Sequence, residues 1–227
     1  MAGKVLSERC IVPEMLDHAP SDVARASLRD LARINRYLGG YSVLRQLFGG
    51  IAKPEEGFSV LDIGAASGDM GAAIRRRYPR AQVTSLDYKR DHLADASDPK
   101  VVGDAFRLPF RPASFDFVFS SLFLHHFTND QVVELFRGFR CLARRAVMAI
   151  DLDRGPLAYY FLPNTRWLFR WHDITVSDGQ ISVAAAFRRE ELRALAVRAG
   201  LGGACVRVHR PWSRLSLVAP MLVSPDG

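Results

Sequence analysis

The stretch Phe58-Ser59-Val60-Leu61-Asp62-Ile63-Gly64-Ala65-Ala66-Ser67-Gly68-Asp69 decides the fold. Its first half is a near-continuous apolar run, the pattern of a strand buried on both faces of a parallel sheet. Its second half is rich in glycine and alanine and opens a helix that runs to Tyr78 and stops at Pro79. Strand, small-residue turn and helix in that order place a helix N-terminus, with its unpaired N–H groups and positive dipole end, at the strand's C-terminal edge. Glycine has no Cβ, so a ligand can come close to the backbone there.

Working outward, the same alternation recurs. Further strands are expected at Ala81–Leu86, Lys100–Val102, Phe115–Ser120 and Ala146–Ile150. A helix is expected over 129–142, opened by Thr128 and Gln131 as a capping box. An amphipathic helix over Phe187–Ala199 precedes two last strands near Ala204–Val208 and Leu215–Ala219. Repeated βα units imply right-handed crossovers. The expected fold class is α/β: a Rossmann-like, open, mostly parallel seven-stranded sheet with helices on both faces, an N-terminal helical lid and a C-terminal antiparallel hairpin.

Ahead of the sheet, Ser21 reads as a helix N-cap with Asp22 in the first turn. Gly39-Gly40 ends that helix, and a shorter one covers Val43–Phe48. The expected division is a lid over 1–52 and a sheet domain over 53–227, with an irregular insert at about 155–180 in which Pro156 and Pro163 break any helix.

The chain has 227 residues and a formal net charge of +7, carried almost wholly by arginine, with lysine only at 4, 53, 89 and 100. No basic stripe interleaved with aromatics stands out, so nucleic acid is not the expected partner. No apolar run is long enough to span a membrane, and no secretory signal follows Met1. Three scattered cysteines form neither a disulfide framework nor a zinc knuckle. A cytoplasmic location is the expectation, and nothing specifies an oligomeric state.

The glycine pattern argues against a dinucleotide and hence against a nicotinamide oxidoreductase, a further competing reading. Counted from Gly64, G-x-G-x-x-G would need glycines where Ala66 and Asp69 stand. An aspartate there disfavours a diphosphate. Asp62, two residues before Gly64, is a carboxylate that could receive an ammonium group, directly or through water. Asp87 ends the second strand, where an acid can accept from both hydroxyls of a ribose. Gly103-Asp104-Ala105 follows the third strand; its carboxylate could accept from an adenine amino group, with Phe106 and Leu108 walling the ring. Ser120-Ser121-Leu122-Phe123-Leu124-His125-His126 follows the fourth strand, so backbone groups at Ser120 and two histidines should border the ligand.

Taken together, Asp62 to Gly68, Asp87, Gly103 to Ala105 with Leu108-Pro109-Phe110, and Phe115 to His126 resemble the class I S-adenosylmethionine (SAM)-dependent methyltransferases. They are most similar to the small-molecule group of ubiquinone- and menaquinone-biosynthesis enzymes. The resemblance covers roughly residues 58–151, with Ala66 departing from the middle glycine. It implies SAM as cofactor, bound by Asp62, Gly64, Ala65, Ala66, Gly68, Asp87, Tyr88, Gly103, Asp104, Ala105 and Ser120. Arg36 would join them if the lid folds back and its guanidinium meets the cofactor's carboxylate.

Methyl transfer is an in-line displacement, so positioning dominates. His125, with His126 as understudy, is the expected base or acceptor-orienting group; His172 is a third candidate. No single element carries a metal-ligand spacing, so no metal is expected. Tyr159, Tyr160, Phe161, Trp167, Phe169 and Trp171 lie in the insert, and in such a fold that connection covers the acceptor. A small apolar or aromatic acceptor, a phenol, polyketide or quinone precursor, is the expected partner, methylated on oxygen. The competing readings are RNA or protein methylation and a SAM-fold module without catalysis.

Overall fold

The structure is a computed structural model that describes residues 6–97 and 99–221, without the side chains of residues 17, 18, 21 and 22. The side chains of Ser21 and Asp22, read above as cap and first-turn acid, therefore lie outside the described residues, as does the extreme N-terminus.

Seven strands form one sheet: β1 (Ser59–Ile63), β2 (Gln82–Asp87), β3 (Lys100–Val102), β4 (Phe115–Ser121), β5 (Ala143–Leu152), β6 (Cys205–His209) and β7 (Arg214–Pro220). Their order is β3-β2-β1-β4-β5-β7-β6. β1 to β5 pair in parallel, while β7 runs antiparallel to both β5 and β6. The chain order reverses between β1 and β4, and that switch point is where open sheets bind ligands. Val60, Leu61, Asp62 and Ile63 are all buried, as a central strand covered on both faces requires.

The helices are α1 (Ser21–Tyr37), α2 (Gly40–Gly49), α3 (Asp69–Arg77), α4 (Asn129–Leu142), α5 (Pro156–Phe169), α6 (Asp173–Ala185) and α7 (Arg189–Arg198). One face of the sheet packs on α4 and α7 through Phe136, Phe139, Leu192 and Leu195. The other packs on α2 and α3 through Val43, Phe48, Met70 and Ile74. Phe48 lies at the centre of an aromatic cluster, its ring centroid 5.8 Å from that of Phe117 and 6.0 Å from those of Phe58 and Phe119. α2 is thus part of the sheet's core, although the expected lid ran to residue 52. Of that expected lid, the described residues before Gly39 stand over the strand ends. The chain pivots there: Gly39 has φ +83°, and a Cβ on it would meet the Trp212 ring at 2.3 Å.

The insert also differs from expectation, because it is two helices rather than irregular chain. Pro156 occupies the first turn of α5, where its missing N–H is one of the helix's orphans anyway. Pro163 sits inside α5 and removes one intrahelical bond. The capping box is present as read, with the Thr128 N–H donating to Gln131 Oε1 at 2.9 Å.

Candidate active site

One cavity of about 670 Å³ opens over the C-terminal ends of β1, β2 and β4 and continues under α1, α5 and α6. That is an ordinary size for a small-molecule site. At one end stand Gly64, Ala66, Asp87, Tyr88, Gly103, Asp104 and Ala105; at the other stand Glu14, His125 and His126.

The first end is built by short-range backbone geometry. Gly64 has φ +68°, and a Cβ there would strike the Phe123 ring at 2.3 Å. Ala66, standing where the resemblance expects glycine, also adopts a left-handed conformation with φ +47°. That costs an alanine about 1–2 kcal/mol. The turn is held by Asp87, whose Oδ2 accepts from the Ala66 N–H at 3.0 Å and whose Oδ1 accepts from the Lys89 N–H at 3.0 Å. Burial would raise the Asp87 pKa, but the hydrogen bonds from His92, Lys89 and Ala66 outweigh it and keep the carboxylate below its usual range. Asp104 accepts from the Phe106 N–H through Oδ1 at 2.9 Å, an Asx turn that aims the residue at the cavity.

Several expected contacts lie elsewhere. Asp62 is fully buried behind the turn and does not line the cavity; its Oδ2 has no hydrogen-bond partner among the described residues. Burial, then the charges of Asp69 and Asp87, push its pKa well above the usual value. Ala65, Gly68 and Ser120 do not line the cavity either. Gly68 instead lets α3 approach Ala96, whose Cα would lie 2.9 Å from an added Cβ. Arg36 is exposed and lies over the Tyr37 ring, 5.5 Å from its centroid. The guanidinium that does face the cavity is Arg214. It is 1% exposed, its Nη1 has no hydrogen-bond partner among the described residues, and its Nη2 is 3.4 Å from Asn35 Oδ1. A buried cation missing a partner is a place for an anion.

The second end is built at long range. His125 Nδ1 lies 2.7 Å from Asp151 Oδ1, and its Nε2 lies 3.5 Å from Glu14 Oε1. Asp151 is fully buried at the end of β5. Its other oxygen accepts from the Leu124 N–H at 3.0 Å and the His125 N–H at 3.3 Å, which fixes the turn carrying the histidines. Arg9 holds the same turn from outside, donating to the carbonyls of His125 and Phe127 at 3.2 and 2.9 Å. Burial would lower the His125 pKa; the charge and hydrogen bond of Asp151, followed by Glu14, reverse this and raise it to about 10. The imidazole therefore carries both protons at neutral pH.

Glu14 reaches this place because the turn after it is clamped from α6. Asp178 accepts the N–H groups of Met15 and Leu16 at 2.8 and 2.9 Å. Ser182, one helical turn further on, donates to Glu14 itself. α6 is in turn joined to α1, since Asp30 Oδ2 accepts from the His172 N–H at 2.8 Å and from the Thr175 hydroxyl at 3.2 Å. His172 is a helix cap: its Nδ1 faces the Ile174 N–H at 3.4 Å and it does not line the cavity.

Of the six insert aromatics, only Phe161 reaches the cavity, beside Leu157, Ala158 and Leu162. These fall at i, i+1, i+4 and i+5 on α5, and helical geometry turns the other aromatics away. Trp167 is 80% exposed, and Trp171 packs on Phe169 beneath the Arg33 guanidinium. Phe106, Phe123, Phe127 and Trp212 supply the remaining rings of the wall.

Residues 60–156 match the methyltransferase-domain family. Within that span lie the glycine turn, Asp87, Asp104 and the His125–Asp151 pair. Over these residues the chain is similar to SAM-dependent methyltransferase domains. The chain is 35% identical over 105 residues to a malonyl-[acyl-carrier protein] O-methyltransferase of Xylella fastidiosa (strain M23), covering 43% of this chain and 35% of the relative. It is 34% identical over 126 residues to a ubiquinone/menaquinone biosynthesis C-methyltransferase of Desulfotalea psychrophila, covering 49% of this chain and 48% of the relative. The chain thus spans under half the length of the curated relatives it matches. In structure it is similar to the plantazolicin methyltransferase BpumL solved with S-adenosylhomocysteine (SAH), with TM-score 0.62 and 13% identity over 88% of this chain and 89% of that one. At that identity the likeness shows the fold.

The matched span holds the residues that were legible as motifs. Glu14 and Arg214, which lie outside it, went unread. Neither sits in a motif, and each reaches the cavity only through a fold-back, of the N-terminal segment in one case and of the C-terminal hairpin in the other. Asp151 directly follows the strand read at Ala146–Ile150, but nothing local pairs it with a histidine 26 positions earlier. Among the described residues no helix is long and apolar enough to cross a membrane.

Proposed function

We propose that the chain transfers a methyl group from SAM to a hydroxyl oxygen of a small, largely apolar acceptor. The observation that carries this is the single cavity joining Asp87 and Asp104 at one end to His125 and Glu14 at the other. The residues present fit the cofactor. Asp87 and Asp104 offer carboxylates to a ribose and an adenine amino group, Gly64 and Ala66 give a side-chain-poor cradle, and the buried Nη1 of Arg214, without a hydrogen-bond partner among the described residues, suits the amino-acid carboxylate in place of Arg36. SAM supplies an activated methyl on a sulfonium.

The chain's own residues then have three tasks. The walls of α1, α5 and α6 exclude water and hold the two reactants in line. Asp151 keeps the His125 ring in one orientation. With its pKa near 10, His125 is a donor at neutral pH. It therefore acts as the acceptor-orienting group, donating to the oxygen of an acceptor that gives its hydroxyl proton to solvent as it binds, and not as a base that must first lose a proton. The Desulfotalea relative is a C-methyltransferase, and the same oxygen-holding role would serve an acceptor that attacks through a ring carbon beside that oxygen. The covering segment formed by α1, α5 and α6 is, in this reading, the acceptor cap.

Calorimetric titration with SAM and SAH tests the cofactor, with Asp87→Ala as control. Micromolar binding that weakens in the variant supports the reading, and no binding to folded protein ends it. Turnover of a panel of phenols and polyketides, with the products assigned by NMR, separates oxygen from carbon methylation. Failure of every small acceptor alongside intact SAH binding would favour a binding module without catalysis.

A further inference from the structure

Glu14, His125 and His126 each offer a ligand atom within 4.8 Å of those of the other two, although they come from segments more than 100 residues apart. Glu14 Oε1 is 3.5 Å from His125 Nε2 and 3.9 Å from His126 Nδ1. Three ligand atoms on a first-row metal at bond lengths of about 2.0–2.2 Å lie about 3.3 Å apart. Glu14 is therefore close to that spacing from both imidazoles, and the His126 ring, stacked on that of His125 with centroids 4.3 Å apart, must turn to bring its Nδ1 to the ion. Two imidazoles and one carboxylate are the donor set that zinc and ferrous iron take when coordination positions are left open for substrate.

Three further features suit a metal. Asp151 accepts the Nδ1–H of His125 at 2.7 Å. This is the arrangement in which a carboxylate fixes a histidine's tautomer, orients its ring and leaves Nε2 for the ion. Glu14 is only 8% exposed, and its position is fixed by the Asp178 clamp on the two residues after it. All three ligand residues line the cavity, so the free coordination positions would face the acceptor.

We propose that Glu14, His125 and His126 form a three-ligand site for a divalent first-row metal ion of the zinc class, with Asp151 as the positioning residue behind His125 and open positions facing the acceptor's oxygen. The ion would occupy the place between Nε2 and Glu14 that a proton otherwise holds. The ligand set stands on its own geometry; only the acceptor's place on the metal rests on the methyl-transfer reading.

Zinc alone is the probe. Chelator-stripped protein is titrated with Zn²⁺ by calorimetry without SAM or acceptor, and Co²⁺ is substituted to read its visible bands. The expected result is one equivalent bound at micromolar affinity or tighter, with four- or five-coordinate cobalt bands and no thiolate charge-transfer band. Glu14→Gln and His126→Gln should each weaken binding more than tenfold. His126 has a side chain about 30% exposed, so its variant tests the site with little risk to folding, which circular dichroism checks. Cys10, Cys141 and Cys205 are free and exposed and could bind zinc themselves; a triple serine variant should leave the affinity unchanged. The proposal is overturned if no stoichiometric binding occurs, or if binding survives Glu14→Gln and vanishes in the cysteine variant. SAH is titrated into the same samples: intact SAH binding without zinc binding removes the metal alone, and absent SAH binding removes the cofactor reading instead.

Discussion

The two ends of the cavity are built in opposite ways. The β1–β3 end uses residues that lie a few positions from a strand terminus, each held by a near neighbour in sequence: Lys89 on Asp87, Phe106 on Asp104. The end around His125 uses residues brought together across the whole chain: Glu14 from before α1, Asp151 from β5, and Asp178 and Ser182 from α6. The difference is one of robustness. A site made of strand ends comes with the sheet, whereas a site made of fold-backs depends on every clamp that docks the cap.

The largest expected effect tests whether the long-range end matters to the fold. Asp151→Asn leaves the His125 imidazolium buried without its counter-charge, and breaking such a pair costs about 3–5 kcal/mol. Denaturant unfolding should show a loss of that size. SAH affinity, measured in the cold on the folded fraction, should change less than threefold if the two ends are separable. A large loss of SAH affinity would mean that they are one unit.

The converse experiment is Asp87→Ala. It removes a charged acceptor worth about 1.5–3 kcal/mol per hydrogen bond, so SAH should bind roughly 10- to 100-fold more weakly, and the loss of the Ala66 and Lys89 bonds should also lower the unfolding midpoint. Arg214→Gln against Arg36→Gln comes next. About tenfold weaker SAH binding is expected for Arg214→Gln and no change for Arg36→Gln; the reverse pattern would restore the exposed arginine.

The pH dependence of stability isolates His125. Its folded pKa of about 10 lies above its unfolded value, near 6.5. The stability it contributes is therefore complete below about pH 6.5 and is lost as pH rises through about 10. The wild-type melting temperature should fall over that window more than that of His125→Gln; parallel curves would show that the imidazole is not charged. The smallest effect lies back at the first end. Ala66→Gly relieves a left-handed alanine and should add up to about 1 kcal/mol, with SAH binding unchanged.

What could be read from the sequence follows this same division. The run Val60–Ile63, the glycine turn, Asp87 and Asp104 were legible because period and turn chemistry are local. The mostly parallel seven-stranded sheet with its final hairpin followed from the βα alternation, whereas the strand order came from the structure. α5 was misread because Pro156 and Pro163 look like breaks, although a proline in the first turn is harmless and one within an exposed helix is tolerated when packing holds the rest. Its aromatics suggested a pocket wall, yet a composition does not say which way a helix faces. Asp62 carried the right motif position and still lies behind the turn.

By itself, then, the sequence determined the mostly parallel sheet, the glycine turn and the acids at the strand ends, since each is written in residues within a few positions of one another. Only the tertiary structure decided that α2 belongs to the core, that Arg214 and not Arg36 faces the cavity, and that Glu14, His125, His126 and Asp151 meet. Those contacts depend on how the cap docks, and docking is set by surfaces distant in sequence that leave no spacing to read.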